Sequence, residues 1–421
     1  MSFGCNNKPA SIVKEKDFQL LLKNHTVNKE LLQIETDLTF WGARLLKNKT
    51  DFSAQSRLAA LYNKRFQYSG HIEDVIKSDS FYLTANKIQR NFSSGIYKSL
   101  AANCITKHQF KEADLLLDTA AKMGDDLYAT RLQQFDAALE LGQYKRAESL
   151  LNNIQYKNSF DYFFRMSKLQ DHKGNFKESM SFMESAFNKA IETKNEHLIL
   201  WVTTNLADMY GHHNRIQEAY DLYMSVLQKN PNHYHAWKGI AWIAFSHDHN
   251  TKAAKEILNW LQINHPVPDY HLMLAEIATY ENDLTAKNKY TQLFIDEVTK
   301  PVYGNMYNKY LFALLSNDKT DINAALHIAK TEIFNRPTPQ SYEFLAWALF
   351  KNGEITEANK IAKGRVMEKT FEPDALYRMG ILLKSSGEKK LAKKYLTDAL
   401  ESSFELGPVV TAEIKQELKT L

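Results

Sequence analysis

Cysteine is nearly absent. Cys5 and Cys104, alone among 421 residues, are too few to frame a disulfide-built fold. Proline (9) and glycine (15) are scarce as well, leaving little chain for linkers or for the many turns of a sandwich or barrel. No charge sign prevails, because 53 basic residues face 49 acidic ones and the two are interspersed. A nucleic-acid partner is therefore not expected. No apolar run approaches the roughly 18 residues that a membrane-spanning helix needs. Missing too are a Gly-rich phosphate loop, a Cys pair at metal spacing, and a Ser or Cys nucleophile in a recognisable elbow. Catalysis is not expected, and no cofactor or small-molecule substrate is implied.

What the chain does contain is a period. Leu345-Ala346, Leu349, Gly353 and Ala358 align, 34 positions on, with Met379-Gly380, Leu383, Gly387 and Ala392. Apolar and small residues at helical spacing, a glycine break and a second helical run make a helix–turn–helix unit, and its repetition is the mark of a solenoid. Small residues open the second helix of each unit at Ala113, Ala147, Ser179, Ala219, Ala253, Ala325, Ala358 and Ala392. Between Ala253 and Ala325 the place falls to Ala286 or Lys287, which implies a unit shifted by one residue. Twelve residues ahead, Ala101, Ala207, Ala241, Ala275, Ala313 and Ala346 supply the matching small residue of the first helix. Close approach of two crossing helices requires little side-chain volume at those places. Pro231, Pro266, Pro337 and Pro373 fall where one unit ends and the next begins.

This pattern resembles the tetratricopeptide repeat family. The resemblance implies an all-α, right-handed α-solenoid of about nine to ten helix pairs with capping helices. Residues 94–406 are expected to form the array, 16–93 two N-terminal helices and a divergent unit, and 407–421 a capping helix. Residues 1–15 are expected to be disordered. Asn28 is a candidate helix cap, and a lengthened turn from Gln67 to Gly70 precedes a helix that starts at Ile72. The 40-residue step from Ser179 to Ala219 implies longer helices there.

The resemblance also implies a function: binding a protein partner, as an extended segment or a helix, in the concave groove that the first helices line. Projected onto this sequence, the groove in the middle repeats comprises Trp201, Asp208, His235, Lys238, Trp242 and Phe245. In the later repeats it comprises Tyr307, Tyr310, Glu343, Trp347, Phe350, Tyr377 and Lys384. Tyr and Trp are over-represented where proteins bind one another. The bland alternative is that several of these aromatics pack between neighbouring first helices. The Lys, Arg and Asn cluster with which the family holds a terminal carboxylate has no full equivalent here.

Two further readings stay open. Eight of the 14 histidines lie between residues 212 and 271, and imidazole is a common metal ligand. His212, His213, His247 and His249 fall in the turns of consecutive repeats and are candidate ligands of one ion, with Asp248 nearby. A carbohydrate-binding or enzymatic accessory role for the Trp-rich groove is the other. At the N-terminus, Gly4-Cys5 followed by a polar tail resembles the processing site of a bacterial lipoprotein, although Ser2 stands where Leu is usual and no hydrophobic stretch precedes it. That resemblance implies a lipid anchor on Cys5 and an extracytoplasmic location. An incidental cysteine at a disordered start leaves the chain cytoplasmic.

Overall fold

A computed structural model describes residues 11–23, 28–317 and 320–421; Cys5, the lipidation candidate, lies outside them. Among the described residues every regular element is a helix, and helices follow one another in antiparallel pairs from Phe52 to Glu401. Two N-terminal expectations hold: Asn28 Oδ1 accepts the amides of Glu30 and Leu31, and a helix runs from Ile72 to Ile88. The lengthened turn expected from Gln67 to Gly70 is a correction, because residues 67–69 complete the helix Phe52–Ser69 and only Gly70 and His71 separate it from the next. At the 40-residue step both flanking helices, Phe176–Glu192 and Glu196–His212, reach 17 residues.

One local rule recurs from pair to pair. The residue before the cap of the second helix takes left-handed backbone, which reverses the chain in the shortest distance. Glycine fills the place at Gly142, Gly174, Gly353 and Gly387, whereas His108, Asn214, His249 and Asn282 fill it elsewhere. Asn and His are among the side chains that tolerate this region best. Two histidines thus owe their place in the turns to backbone conformation.

The small residues then fall four positions beyond the cap. The amide of Ala113 bonds the carbonyl of Gln109, and Ala219 to Arg215, Ala325 to Asp321 and Ala392 to Glu388 repeat the arrangement. These alanines are buried, with the opposing Ala101, Ala207 and Ala346. The one-residue shift expected at Ala286 is a correction. Lys287 keeps register with Asp283, and the shift sits one repeat earlier, where Ala254 rather than Ala253 bonds Asn250. Its cause is an extra residue in a widened turn over Ile243–His247, where the amide of Asp248 reaches back five residues to Ile243. Ala253 and Ala254 are both fully buried, so either satisfies the small-residue pattern.

The described residues group into two compact units. The first combines Ala190–Phe294 with residues 11–23 and Ala399–Thr420. Trp237, Ile240, Phe245, Ile257 and Leu261 form its centre at 0% exposure, and the buried Trp237 indole donates to the carbonyl of Pro231 at 2.8 Å. Both terminal segments dock here. Val13 and Phe18 are buried against the second-helix layer, while the carboxylate of Asp248 accepts from the amides of Ile12 (3.0 Å) and Val13 (2.8 Å) and the hydroxyl of Ser11 (2.8 Å). The C-terminal helix, Ser403–Lys419, packs against Glu196–His212, Ile243–His247 and Asp269–Tyr280. Its expected role as the stacked end cap of the array is therefore a correction, since it returns to cover repeats in the middle of the chain.

The second unit combines Asn28–Lys189 with Ile295–Asp398. Two distant stretches of repeats meet in it. Arg336 joins Glu332 (2.8 Å) to Glu140 (3.3 Å), Phe371 lies over Gly174, and Ile72 and Val75 pack on Tyr303. Gly174 has φ +75°, and a Cβ there would stand 2.7 Å from the Phe371 ring, so the turn and the contact both require glycine. Cys104 is buried in this unit with its thiol pushed up to about 12, chiefly by burial, as its reading as a packing residue requires.

Candidate partner-binding surfaces

In the first unit the first-helix layer carries Trp201, Asp208, His235, Lys238, Trp242 and Phe245. Trp201 (43% exposed) and His235 present surface. Asp208 accepts from His235 Nε2 at 2.8 Å and from the Tyr223 hydroxyl. Burial pushes the Asp208 carboxyl up, but the hydrogen bonds and charge of His235, with Tyr223, outweigh it and hold the group below the usual carboxylate range. Burial and the charge of Asp208 push the Tyr223 hydroxyl well above its ordinary value. Lys238 pairs with Asp269 at 2.8 Å. Phe245 is a correction: it is fully buried, edge-on to Trp242 and Tyr280, and packs between neighbouring first helices.

Trp242 differs from its expected place in another way. Its indole Nε1 donates to the carbonyl of Phe404 at 3.0 Å, and Ser246 Oγ donates to the same oxygen at 2.6 Å. The chain itself supplies this oxygen. In an unbroken helix the Phe404 carbonyl would accept the amide of residue 408, but Pro408 has none and Gly407 leaves helical geometry (φ 74°, ψ 170°). Two donors of the groove satisfy the stranded acceptor. This part of the layer is occupied rather than open.

In the second unit Tyr310 is 39% exposed, and Tyr307, Phe350, Tyr377 and Lys384 are half-buried. Tyr307 leans on Tyr303 and Tyr310 (ring centroids 5.5 and 6.2 Å). Glu343 and Trp347 are corrections, at 2% and 6% exposure. Glu343 pairs with Arg378 at 3.2 Å, and the Arg378 guanidinium also lies over the rings of Phe312 and Trp347. These two side chains bind one first helix to the next instead of facing a groove. Burial raises the Glu343 carboxyl to about 7 against the attraction of Arg378.

The turn histidines do not converge. His212 Nδ1 lies 3.5 Å from Glu405, His213 donates to the carbonyl of Met209, and His249 stacks on Tyr280. His247 donates to Asp248 at 2.7 Å, and that carboxylate is fully covered by the N-terminal segment it holds. Among the described residues no group of three or more His, Cys, Asp or Glu is placed to hold a metal ion.

Residues 373–405 match the tetratricopeptide repeat family, and the same paired-helix geometry, turn and small-residue register recur through the other repeats. The chain contains a tetratricopeptide repeat. Comparison with curated proteins gives no match. Among solved structures, this repeat protein is similar to the human IFIT1 dimer with PPP-AAAA at 13% identity and TM-score 0.46, covering 91% of this chain and 93% of that one. It is similar to yeast Tom70 at 14% identity and TM-score 0.36, covering 97% and 96%. A tetratricopeptide repeat protein from Parabacteroides merdae shares 16% identity at TM-score 0.34, covering 69% of this chain and 97% of its own. At these values the likeness is of stacked helical repeats and says nothing of ligands. No described helix of the repeat protein is long and apolar enough to cross a membrane.

Sequence reasoning missed both terminal dockings and the junction at Arg336. One signal was available. Gly407-Pro408 inside an apolar helical run announces a stranded carbonyl four residues before the proline, and a buried donor must then be sought elsewhere in the chain.

Proposed function

We propose that this repeat protein is a non-catalytic scaffold that holds a helix or extended segment of a protein partner against its first-helix layer. The observation that carries this reading is the stranded Phe404 carbonyl on Trp242 and Ser246. There an aromatic and a hydroxyl donor of one first-helix layer already hold the backbone of another segment of the same chain, which supports the reading. In the second unit the counterpart is the exposed Tyr310, with the half-buried Tyr307, Phe350, Tyr377 and Lys384 of the first helices. Tyrosine suits such a surface because it offers large apolar area and a polar tip at small conformational cost.

A photo-activatable aromatic at position 310 tests the reading, with position 115 as control, since Leu115 is 69% exposed on a second helix. Cross-linking in cells of the native organism should give one defined protein adduct from position 310 and none from 115, and Tyr377→Ala should weaken it at least fivefold. Equal adducts from both positions, or none from 310, would remove the second unit's first-helix layer as the binding surface.

A further inference from the structure

The seat of residues 402–408 on the first unit is built for one kind of occupant. Gly211 forms a notch under the Phe404 ring, where a Cβ would stand 2.7 Å from the ring edge. Gly407 brings backbone so near the layer that its own Cβ would stand 2.4 Å from Glu276 and 3.1 Å from Trp242, and its φ of +74° suits glycine. Between these two contacts the Phe404 carbonyl takes its two donors. Aromatic ring, stranded carbonyl and Gly-Pro step thus match a notch, a donor pair and a flat indole edge.

The occupant is lightly held. Over its 17 residues the C-terminal helix buries only Leu406, Gly407, Pro408 and Ile414. The 14-residue repeat helix Ile216–Lys229 of the same unit buries six residues, two of them tyrosines. Elements with few buried apolar groups open locally before the molecule unfolds.

We propose that this seat is a docking site for a helix broken by a Gly-Pro step three residues after an aromatic, and that the chain's own Phe404–Pro408 fills it at rest. A partner segment of the same chemistry binds there by displacing the C-terminal helix. The proposal rests on the scaffold reading, with which it shares the Phe404 contact and the premise that first-helix layers bind segments. It places a second, self-occupied site in the first unit.

A labelled peptide of residues 399–421 tests it on the full-length chain. Phe404→Ala should vacate the seat and bind the peptide at least tenfold more tightly than the wild type, whose own segment competes. Adding Gly211→Leu, which fills the notch on a residue type that favours helix, should abolish that binding. Equal affinity of wild type and Phe404→Ala, or binding that survives Gly211→Leu, would overturn the proposal. Amide exchange on the unmodified chain stands independently of whether the variants fold. Residues 403–419 should exchange at least tenfold faster than Ile216–Lys229, and faster again with excess peptide. Exchange only at the rate of global unfolding would also overturn it. Neither failure bears on cross-linking at position 310, so the two readings fall separately.

Discussion

At the scale of single residues, buried charge and imidazole chemistry set the sharpest tests. Glu343 and Arg378 are an ion pair removed from water, and such a pair is costly to break although of little net worth against an apolar replacement. Glu343→Gln should therefore destabilise the second unit by about 3 kcal/mol, because it leaves the guanidinium without its counter-charge. Replacing both members together, Glu343→Leu with Arg378→Met, should recover most of that loss in urea denaturation. A double variant no more stable than the single one would mean that the pair does more than compensate itself.

His233 caps the helix Tyr234–Trp242 by accepting the amide of Ala236 on Nδ1 at 3.4 Å, which requires an unprotonated ring. Burial, and then the neighbouring His235, lower its pKa to about 4. A base whose folded pKa lies below its unfolded value stabilises the fold in full above pH 6.5, and loses that contribution as the pH falls toward 4. The loss amounts to at most about 3 kcal/mol. His233→Asn keeps a capping acceptor without the titration, so the variant should flatten this limb of the stability–pH curve. NMR titration of His233 should show no protonation above pH 5.

At the scale of elements, close helix crossings and terminal docking are the points that a single change can break. A Cβ at Gly380 would stand 2.6 Å from Leu396 Cγ and 3.3 Å from its amide nitrogen, so the helices Pro373–Ser385 and Lys389–Glu401 cross at contact distance. Gly380→Val should cost about 2 kcal/mol through overpacking. Leu396→Ala in the same chain should return part of it, and additive losses in the cycle would place the strain elsewhere.

Asp248 holds the N-terminal segment through three donors. With Asp248→Ala, trypsin should cleave at Lys14 and Lys16 at least tenfold faster, while the repeats keep their helicity by circular dichroism. The paired helices themselves were legible from the chain, since Asn28 capping, the Ala113-to-Ala392 register and the glycine turns are all contacts within about 40 residues. The widened turn at Ile243–His247 was not legible, because Ala253 and Ala254 satisfy the small-residue pattern equally well.

At the scale of the whole molecule, stability is shared between local pairs and a few long connections. The contacts around Arg336 and Phe371 bring repeats more than 190 residues apart together within the second unit. His108 and His172 lie among these contacts, and burial lowers both, with the charge of Arg336 adding to the effect at His108. Their neutral forms are the folded ones, so the second unit should lose stability as pH falls below about 6.5. Thermal melts at pH 7.5 and pH 5 should differ less in the variant with His108→Asn and His172→Gln than in the wild type. An unchanged difference would assign the acid loss to other groups.

The sequence by itself determined the class of fold, the period, the turn positions and the small-residue register, because each repeat is built from contacts between neighbours. The candidate groove was legible only as a projection. Trp201, His235 and Tyr310 do present surface, whereas Phe245, Glu343 and Trp347 bury themselves against the next first helix, and which happens depends on how far neighbouring helices separate. Tertiary structure alone decided that Trp242 and Ser246 meet the Phe404 carbonyl across about 160 residues, and that Asp248 holds residues 11–13. Such pairings leave no period in the chain. They arise when a stranded carbonyl or a buried carboxylate must find its partner wherever the solenoid brings one within reach.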